Sequence, residues 1–355
     1  MTKSKPAVAV VGAGPAGVMA ALQIARAGLS VRIISRQRQA CLHVAETLSP
    51  EGRSVLALAG LWDQVPSGVA VPCPTVVSAW DGPEPICRSF ITNPYGCAWH
   101  IDRARFDNWL LSEAKGAGAI LVTGIVIGVQ RIDHQWVFDV RRPGGEAWAE
   151  HADFLVVATG QCGSAGKLGT RERIDALCLV GGPSEAMPDA GDALLVEAVR
   201  DGWWYSAPVS DGRMFAGWMT DARVIAGKRY REVMEAAFAQ APLTSARLAN
   251  IPDACCVGVG SSAMRPCAGD GWIAVGDAAL ARDPLSGEGV AYALRSAREG
   301  ADTILTALEG DSSAWQTAST RGAAAVAQYQ NQKASAYKAA QVRWPAEPFW
   351  ARRLH

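Results

Sequence analysis

The sequence predicts an α/β fold: a discontinuous Rossmann-type domain carrying an inserted antiparallel sheet. Three observations point there. A short β-branched run, AVAVV at 7–11, leads through GAGPAG into a helix of small apolar residues, the start of a βαβ unit. Far downstream a second strand, 272–275, again runs through a glycine-rich loop into a helix. Between them, residues 190–219 alternate in the manner of antiparallel strands. A chain of 355 residues, 49% hydrophobic and 19% charged, has the composition and length for two globular domains. Lys plus Arg and Asp plus Glu both number 34, which leaves no global field to attract nucleic acid or an acidic membrane.

In chain order, strand 7–11 is followed by a helix from Val18 to Ala27, stopped by Gly28, and a second strand at 31–34. Residues 50–62 read as a helix, and 65–95 as a Pro- and Gly-rich stretch with short strands. A helix at 103–117 precedes strands at 119–127, 135–140 and 153–158. Beyond the alternating stretch come helices at 230–240, 289–308 and 313–340. The expected division is 1–64, 96–165 and 260–310 for the cofactor domain, 65–95 and 166–259 for the substrate domain, and 311–355 for a C-terminal helix and tail. Lys3 and Lys5 before the apolar run Val8–Val11 resemble a secretion signal, but glycines and Pro15 break that run, which reads as a strand. No stretch reaches the roughly 18 apolar residues of a spanning helix. Nine scattered cysteines with no C-x-x-C pair suit a reduced, cytoplasmic protein without a disulfide frame or metal site.

Gly12-x-Gly14-x-x-Gly17 lies between strand and helix. The first glycine permits the turn, the second lets the backbone approach a pyrophosphate, and the third lets helix and strand pack. The acid expected at the end of the second strand is missing; Ser35-Arg36-Gln37-Arg38 stands there, and arginine at that point also suits the 2′-phosphate of NADPH. The downstream block GDAALARDPLSGEGVAYAL, 276–294, puts Asp277 at a strand tip, where it can accept hydrogen bonds from a sugar-alcohol chain. Pro284 makes a rigid turn, and Gly287 and Gly289 leave bare N–H groups at a helix start.

GAGPAG, HIDRARFD (100–107), VVATG (156–160) and the Gly276-Asp277 block occur in the order found in FAD-dependent monooxygenases and halogenases of the aromatic-hydroxylase type, which the chain resembles over most of its length. The resemblance implies FAD on the first fingerprint, at Gly12, Gly14, Ala16 and Gly17, with Ser35 or Arg36 replacing the usual acid at the ribose. Arg103 would lie near the flavin or its phosphates, and Ala158, Thr159 and Gly160 would line the cofactor. Asp277 would bond the ribityl or phosphate region. Pro284, Gly287, Gly289, Val290 and Ala291 would hold the ring. The absence of a second G-x-G-x-x-G implies that electrons come from transiently docked NAD(P)H or a separate flavin reductase.

Halogenases of this superfamily carry W-x-W-x-I-P on a substrate-domain strand; here GWWYSAP, 202–208, occupies that place. They also use a lysine between the "GES"-like and "RxxFD" segments, and no lysine occurs from Glu46 to Arg103. ETLSP (46–50), GWWYSAP, Thr220-Asp221 and the tail RWPAEPFWARR (343–353) instead resemble the flavoproteins that mature quinone-cofactor oxidases, the LodB/GoxB type. That resemblance implies hydroxylation of a tryptophan side chain in a precursor oxidase or peptide, with O₂ activated as a flavin C4a-hydroperoxide, on the way to a tryptophylquinone. The alternatives are a monooxygenase or halogenase of a small free aromatic, and a flavin-binding maturation chaperone. Catalytic candidates are Glu46, Asp283 and Pro284 in the flavin-approaching segments, and Trp203, Trp204 and Tyr205 as walls for an indole. Strand alternation puts Trp203 and Tyr205 on one face and Trp204 on the other, leaving open which face is the pocket side. His43 and His100 read as structural, the cysteines as core. The tail concentrates Trp344, Phe349, Trp350 and three arginines, and reads either as packing against its own domain or as a docking surface for a protein substrate. In both readings Arg352 and Arg353 are expected at the surface.

Overall fold

The computed structural model describes residues 6–36, 45–142, 144–161, 168–226, 230–252 and 255–353. Its first layer is a six-stranded sheet in the order Ala268–Gly269, Trp272–Ala274, Phe154–Val157, Ala7–Val11, Ser30–Ser35, Ile120–Thr123. The last five strands run parallel, and Ala268–Gly269 pairs antiparallel at the edge. Period-two alternation divides the apolar side chains between two faces. Val8, Val10, Val31 and Ile33 pack with helices Pro15–Arg26, Arg103–Gly116 and Gly289–Leu308. Ala9, Ile34, Leu155 and Val157 pack against Trp136, Phe138 and Val140 of a three-stranded antiparallel meander, Ile125–Ile132, Gln135–Arg141 and Ala147–Ala152. The parallel strands are thus covered on both sides, as their near-continuous apolar runs require.

A second, seven-stranded sheet runs Cys255–Gly258, Cys178–Ser184, Met214–Thr220, Gly202–Pro208, Leu194–Val199, Thr75–Ala79, Ile86–Ser89. It is antiparallel except where Leu194–Val199 meets Thr75–Ala79. One face packs on helix Tyr230–Phe238, and the other on the long helix Ala314–Gln341 and the tail.

The expected α/β architecture is present, with local differences. The strand expected at 119–127 is split by Gly124 into Ile120–Thr123 and Ile125–Ile132, which belong to different sheets. Helix 50–62 stops at Leu58, and a short 3₁₀ turn, Trp62–Gln64, follows. Strand Cys178–Ser184 lies outside the strands expected from the sequence; its CLVGGPS carries two glycines and a proline, residues that weaken a strand pattern. The sheet requires small residues there: a Cβ on Gly181 would stand 2.3 Å from the Ala216 carbonyl oxygen. His43 and Gln37-Arg38 lie outside the described residues. Among the described residues no helix is long and apolar enough to cross a membrane.

Candidate active site

The ends of three neighbouring parallel strands, Ala7–Val11, Phe154–Val157 and Trp272–Ala274, bring the motifs together. Gly12 follows the first strand with φ +116°; a Cβ there would lie 2.1 Å from the Ala158 carbonyl oxygen, and one on Gly17 would lie 2.0 Å from the Gly12 oxygen. Both glycines are obligatory for helix Pro15–Arg26 to rise from the sheet at this angle. Gly14 faces open space, so the chain can be approached closely there. Ala16 packs against Gly276, whose own Cβ would reach it at 2.6 Å. Ser35 ends the second strand, with its Oγ donating to the Arg36 carbonyl at 3.2 Å, and Arg36 is exposed.

The second loop carries a buried, unpartnered atom. Thr159 Oγ1 is sealed from solvent and makes no hydrogen bond within the described protein. Orphaned polar groups of this kind are uncommon and call for a bound partner. Beside it Gly160 has φ +70° and faces open space. Helix Gly289–Leu308 begins after a turn in which Pro284 opens a 3₁₀ segment, Pro284–Ser286, and Gly287 has φ +60°. Its first intrahelical bond is donated by Tyr292 to the Glu288 oxygen at 2.8 Å, so Gly289, Val290 and Ala291 carry the N–H groups of the open first turn.

A charged group sits between these loops. Glu46 and Arg103 come from adjacent antiparallel segments, since Glu46 pairs with Ile101. Arg103 Nη1 donates to both Glu46 oxygens at 2.5 Å, and its other nitrogens reach Asp107 at 3.4 and 3.2 Å. Burial alone would lower the pKa of Arg103; the Glu46 and Asp107 carboxylates outweigh it and raise it. Asp277 is raised from 3.8 to about 6, chiefly by burial and next by Glu46; Gln161, Arg103 and Arg171 pull the other way.

The triple aromatic of GWWYSAP divides between the two faces. Trp204 is fully buried on the helix-covered side, stacked on Trp218 (6.3 Å) and edge-on to Phe238 (5.7 Å). Trp203 and Tyr205 lie on the opposite face. Trp203 is locked by its Nε1, which donates to Tyr337 Oη at 3.1 Å. Tyr205 is half-buried against Phe215 (5.4 Å), and its phenol pKa is pushed well up by burial and then by Glu46 and Cys255. The Asp283 carboxylate is fully engaged, accepting from Tyr337 Oη (2.8 Å) and Leu285 N (3.0 Å) inside the protein, and burial raises its pKa. His100 holds Thr47 Oγ1 at 3.0 Å and the Asp192 oxygen at 2.7 Å with its two ring nitrogens.

The tail corrects one expectation. Arg353 is 3% exposed and reaches Asp175 at 3.1 Å and Asp221 at 2.7 Å, and Arg352 binds Asp221 at 2.5 Å. Two carboxylates draw Arg353 inward, so it offers no surface charge, whereas Arg352 stays exposed at the surface as expected. Gln161, Arg171 and Tyr337 had no motif to mark them; only their contacts reveal them.

Cradle, orphan threonine and buried carboxylate fit FAD, in a fold that resembles that of flavin-dependent monooxygenases and halogenases. Residues 5–106 match the family model of the FAD binding domain. The structure resembles the flavin-dependent halogenase CmlS (TM-score 0.89, 26% identity, 99% of this chain and 68% of that one). It also resembles QhpG, a peptidyl tryptophan dihydroxylase essential for tryptophylquinone cofactor biogenesis (TM-score 0.78, 28% identity, 98% and 78%). Among curated relatives, the tryptophan 2-halogenase of Chondromyces crocatus is 25% identical over 87% of this chain, which spans only 62% of that enzyme. The FAD-dependent oxidoreductase LodB of Marinomonas mediterranea is 27% identical over 73% of this chain and 72% of its own.

Proposed function

We propose that the protein is an FAD-dependent monooxygenase that hydroxylates a tryptophan side chain of a partner protein or peptide, on the way to a tryptophylquinone. The observation that carries this reading is the lysine-free span from Glu46 to Arg103, together with the arginine character of the site: the cations acting on Asp277 are Arg103 and Arg171. The similarity to QhpG and LodB supports it.

Reduced flavin supplies an activated oxygen atom from O₂ when bound, with electrons from NAD(P)H or a separate reductase. The first fingerprint, Thr159-Gly160, Asp277 and the turn from Pro284 through Gly287 to Gly289, Val290 and Ala291 would hold it, with Ser35 and Arg36 at the ribose end. Tyr205, backed by Phe215, forms an aromatic wall against which an indole stacks or stands edge-on. Glu46, aligned by Arg103, accepts the indole N–H or takes the ring proton released when the carbon–oxygen bond has formed. Trp203, Trp204 and Asp283 fix the strand and the turn behind this wall and do not touch the reacting atoms.

A second reading, halogenation or hydroxylation of a small free aromatic, is favoured by the likeness to CmlS and the tryptophan 2-halogenase. One experiment separates them. The protein is co-expressed with the precursor of a tryptophylquinone oxidase, and the precursor's tryptophans are read by mass spectrometry. A gain of one or two oxygens that depends on this protein supports the first reading. An unmodified precursor, with turnover of free tryptophan, supports the second.

A further inference from the structure

One arginine outside every recognised motif spans both cofactor loops. Strand Thr170–Arg173 pairs antiparallel with Ser262–Arg265, which pairs in turn with Leu280–Ala281. This places Arg171 behind the 158–161 and 276–279 loops. Its Nη1 donates to Ser262 Oγ at 2.9 Å and to the Asp277 carbonyl at 3.3 Å. Its Nη2 donates to the carbonyls of Gly160 at 3.3 Å and Ala278 at 3.0 Å. The loops end neighbouring parallel strands, in which Val157 pairs with Ala274.

We infer that Arg171 is a positioning residue for FAD: its guanidinium gathers the carbonyls of the two loops and thereby presents their N–H edges, and the Asp277 side chain, to the cofactor. A trans peptide carries its C=O and N–H on opposite sides. Carbonyls of Gly160 and Asp277 turned to the guanidinium therefore turn the N–H groups of Gln161 and Ala278 away from it. A planar fork of five donors can hold three carbonyls at once, which a lysine ammonium on a flexible stem does poorly. The same charge acts on Asp277. That carboxyl is faced by Glu46 from strand Glu46–Leu48, which disfavours its anion, and by Arg103 from the helix, Gln161 from the first loop and Arg171, which favour it. Arg171 thus joins loop geometry to the charge of Asp277. The inference rests on the FAD site and not on the proposed substrate.

The test uses apoprotein refilled with FAD. Flavin fluorescence quenching gives Kd across roughly pH 5–8, and the melting temperature of the apoprotein is measured in parallel. For Arg171→Ala the expected result is an FAD Kd raised roughly tenfold or more, with the acid limb of FAD binding moved to higher pH, because Asp277 loses a supporting cation. Arg171→Lys should keep the acid limb near its original position yet bind FAD several-fold more weakly. A Kd and acid limb unchanged in Arg171→Ala overturn the inference, as does a lowered melting temperature with FAD affinity intact. If Arg171→Ala does not fold, Arg171→Lys decides: weakened FAD binding at unchanged melting temperature upholds the role, and full affinity refutes it.

Discussion

Asp277 is buried where a carboxylate is poorly solvated, and Glu46 adds repulsion, so its pKa stands at about 6. Between about pH 4 and 6 the folded apoprotein therefore holds this proton more tightly than the unfolded chain does. Stability contributed by Asp277 falls as pH rises through that window, by roughly 3 kcal/mol in all. In the proposed reading, hydrogen bonds to the cofactor offset the cost of that charge. Asp277→Asn should accordingly melt higher than wild type as apoprotein at neutral pH, yet bind FAD roughly tenfold more weakly, as read by thermal denaturation and flavin titration. Higher melting with unchanged affinity would remove Asp277 from the cofactor site. The proposed function gives Glu46 a different task. Glu46→Gln should keep FAD within a few-fold of normal while precursor oxygenation falls roughly hundredfold, measured in single-turnover reactions; undiminished oxygenation would exclude it as the proton acceptor.

Among elements, the C-terminal segment carries an unexpected share of the structure. Helix Ala314–Gln341 sends Tyr337 to Trp203 and Asp283, and so braces the turn that precedes helix Gly289–Leu308. The tail then buries Phe349 and Trp350, with Trp350 Nε1 donating to the carbonyls of Val199 (3.2 Å) and Arg200 (3.0 Å). Trp80 packs edge-on to Trp203, Tyr337 and Trp350, tying the three elements into one aromatic cluster. Trp350→Ala should cost about 3–5 kcal/mol in denaturant titration. Removal of everything after Gln341 should lower stability and flavin content together. Loss of precursor modification alone, with flavin and melting temperature intact, would instead make the tail a docking element.

For the whole molecule, the six-stranded sheet carries the glycine-rich loops at its strand ends and the seven-stranded sheet carries Tyr205. The purified protein should be yellow, with FAD released by denaturation. Supplied with a flavin reductase, O₂ and chloride or bromide, it should yield no halogenated tryptophan by mass spectrometry; a halogenated product would refute the weight placed on the missing lysine. The parallel-sheet glycines, Asp277 and the helix starts were legible because each meets a local steric or electrostatic demand that few residue types satisfy.

The sequence by itself determined the α/β class, the glycine-rich turn after the first strand and the place of Asp277 at a strand tip, because backbone turns and strand periodicity are short-range constraints; Glu46 and Arg103 followed from the resemblance of their segments to flavin monooxygenases. Tertiary structure alone decided what each face of GWWYSAP packs against. Alternation separated Trp204 from Trp203 and Tyr205, but only the packing of helix Tyr230–Phe238 on one face and of the C-terminal helix on the other fixed what each side chain meets. It also drew Arg353 inward and set Arg171 behind two loops. Those contacts join residues far apart in the chain, and their partners exist only once separate sheets have been brought into register.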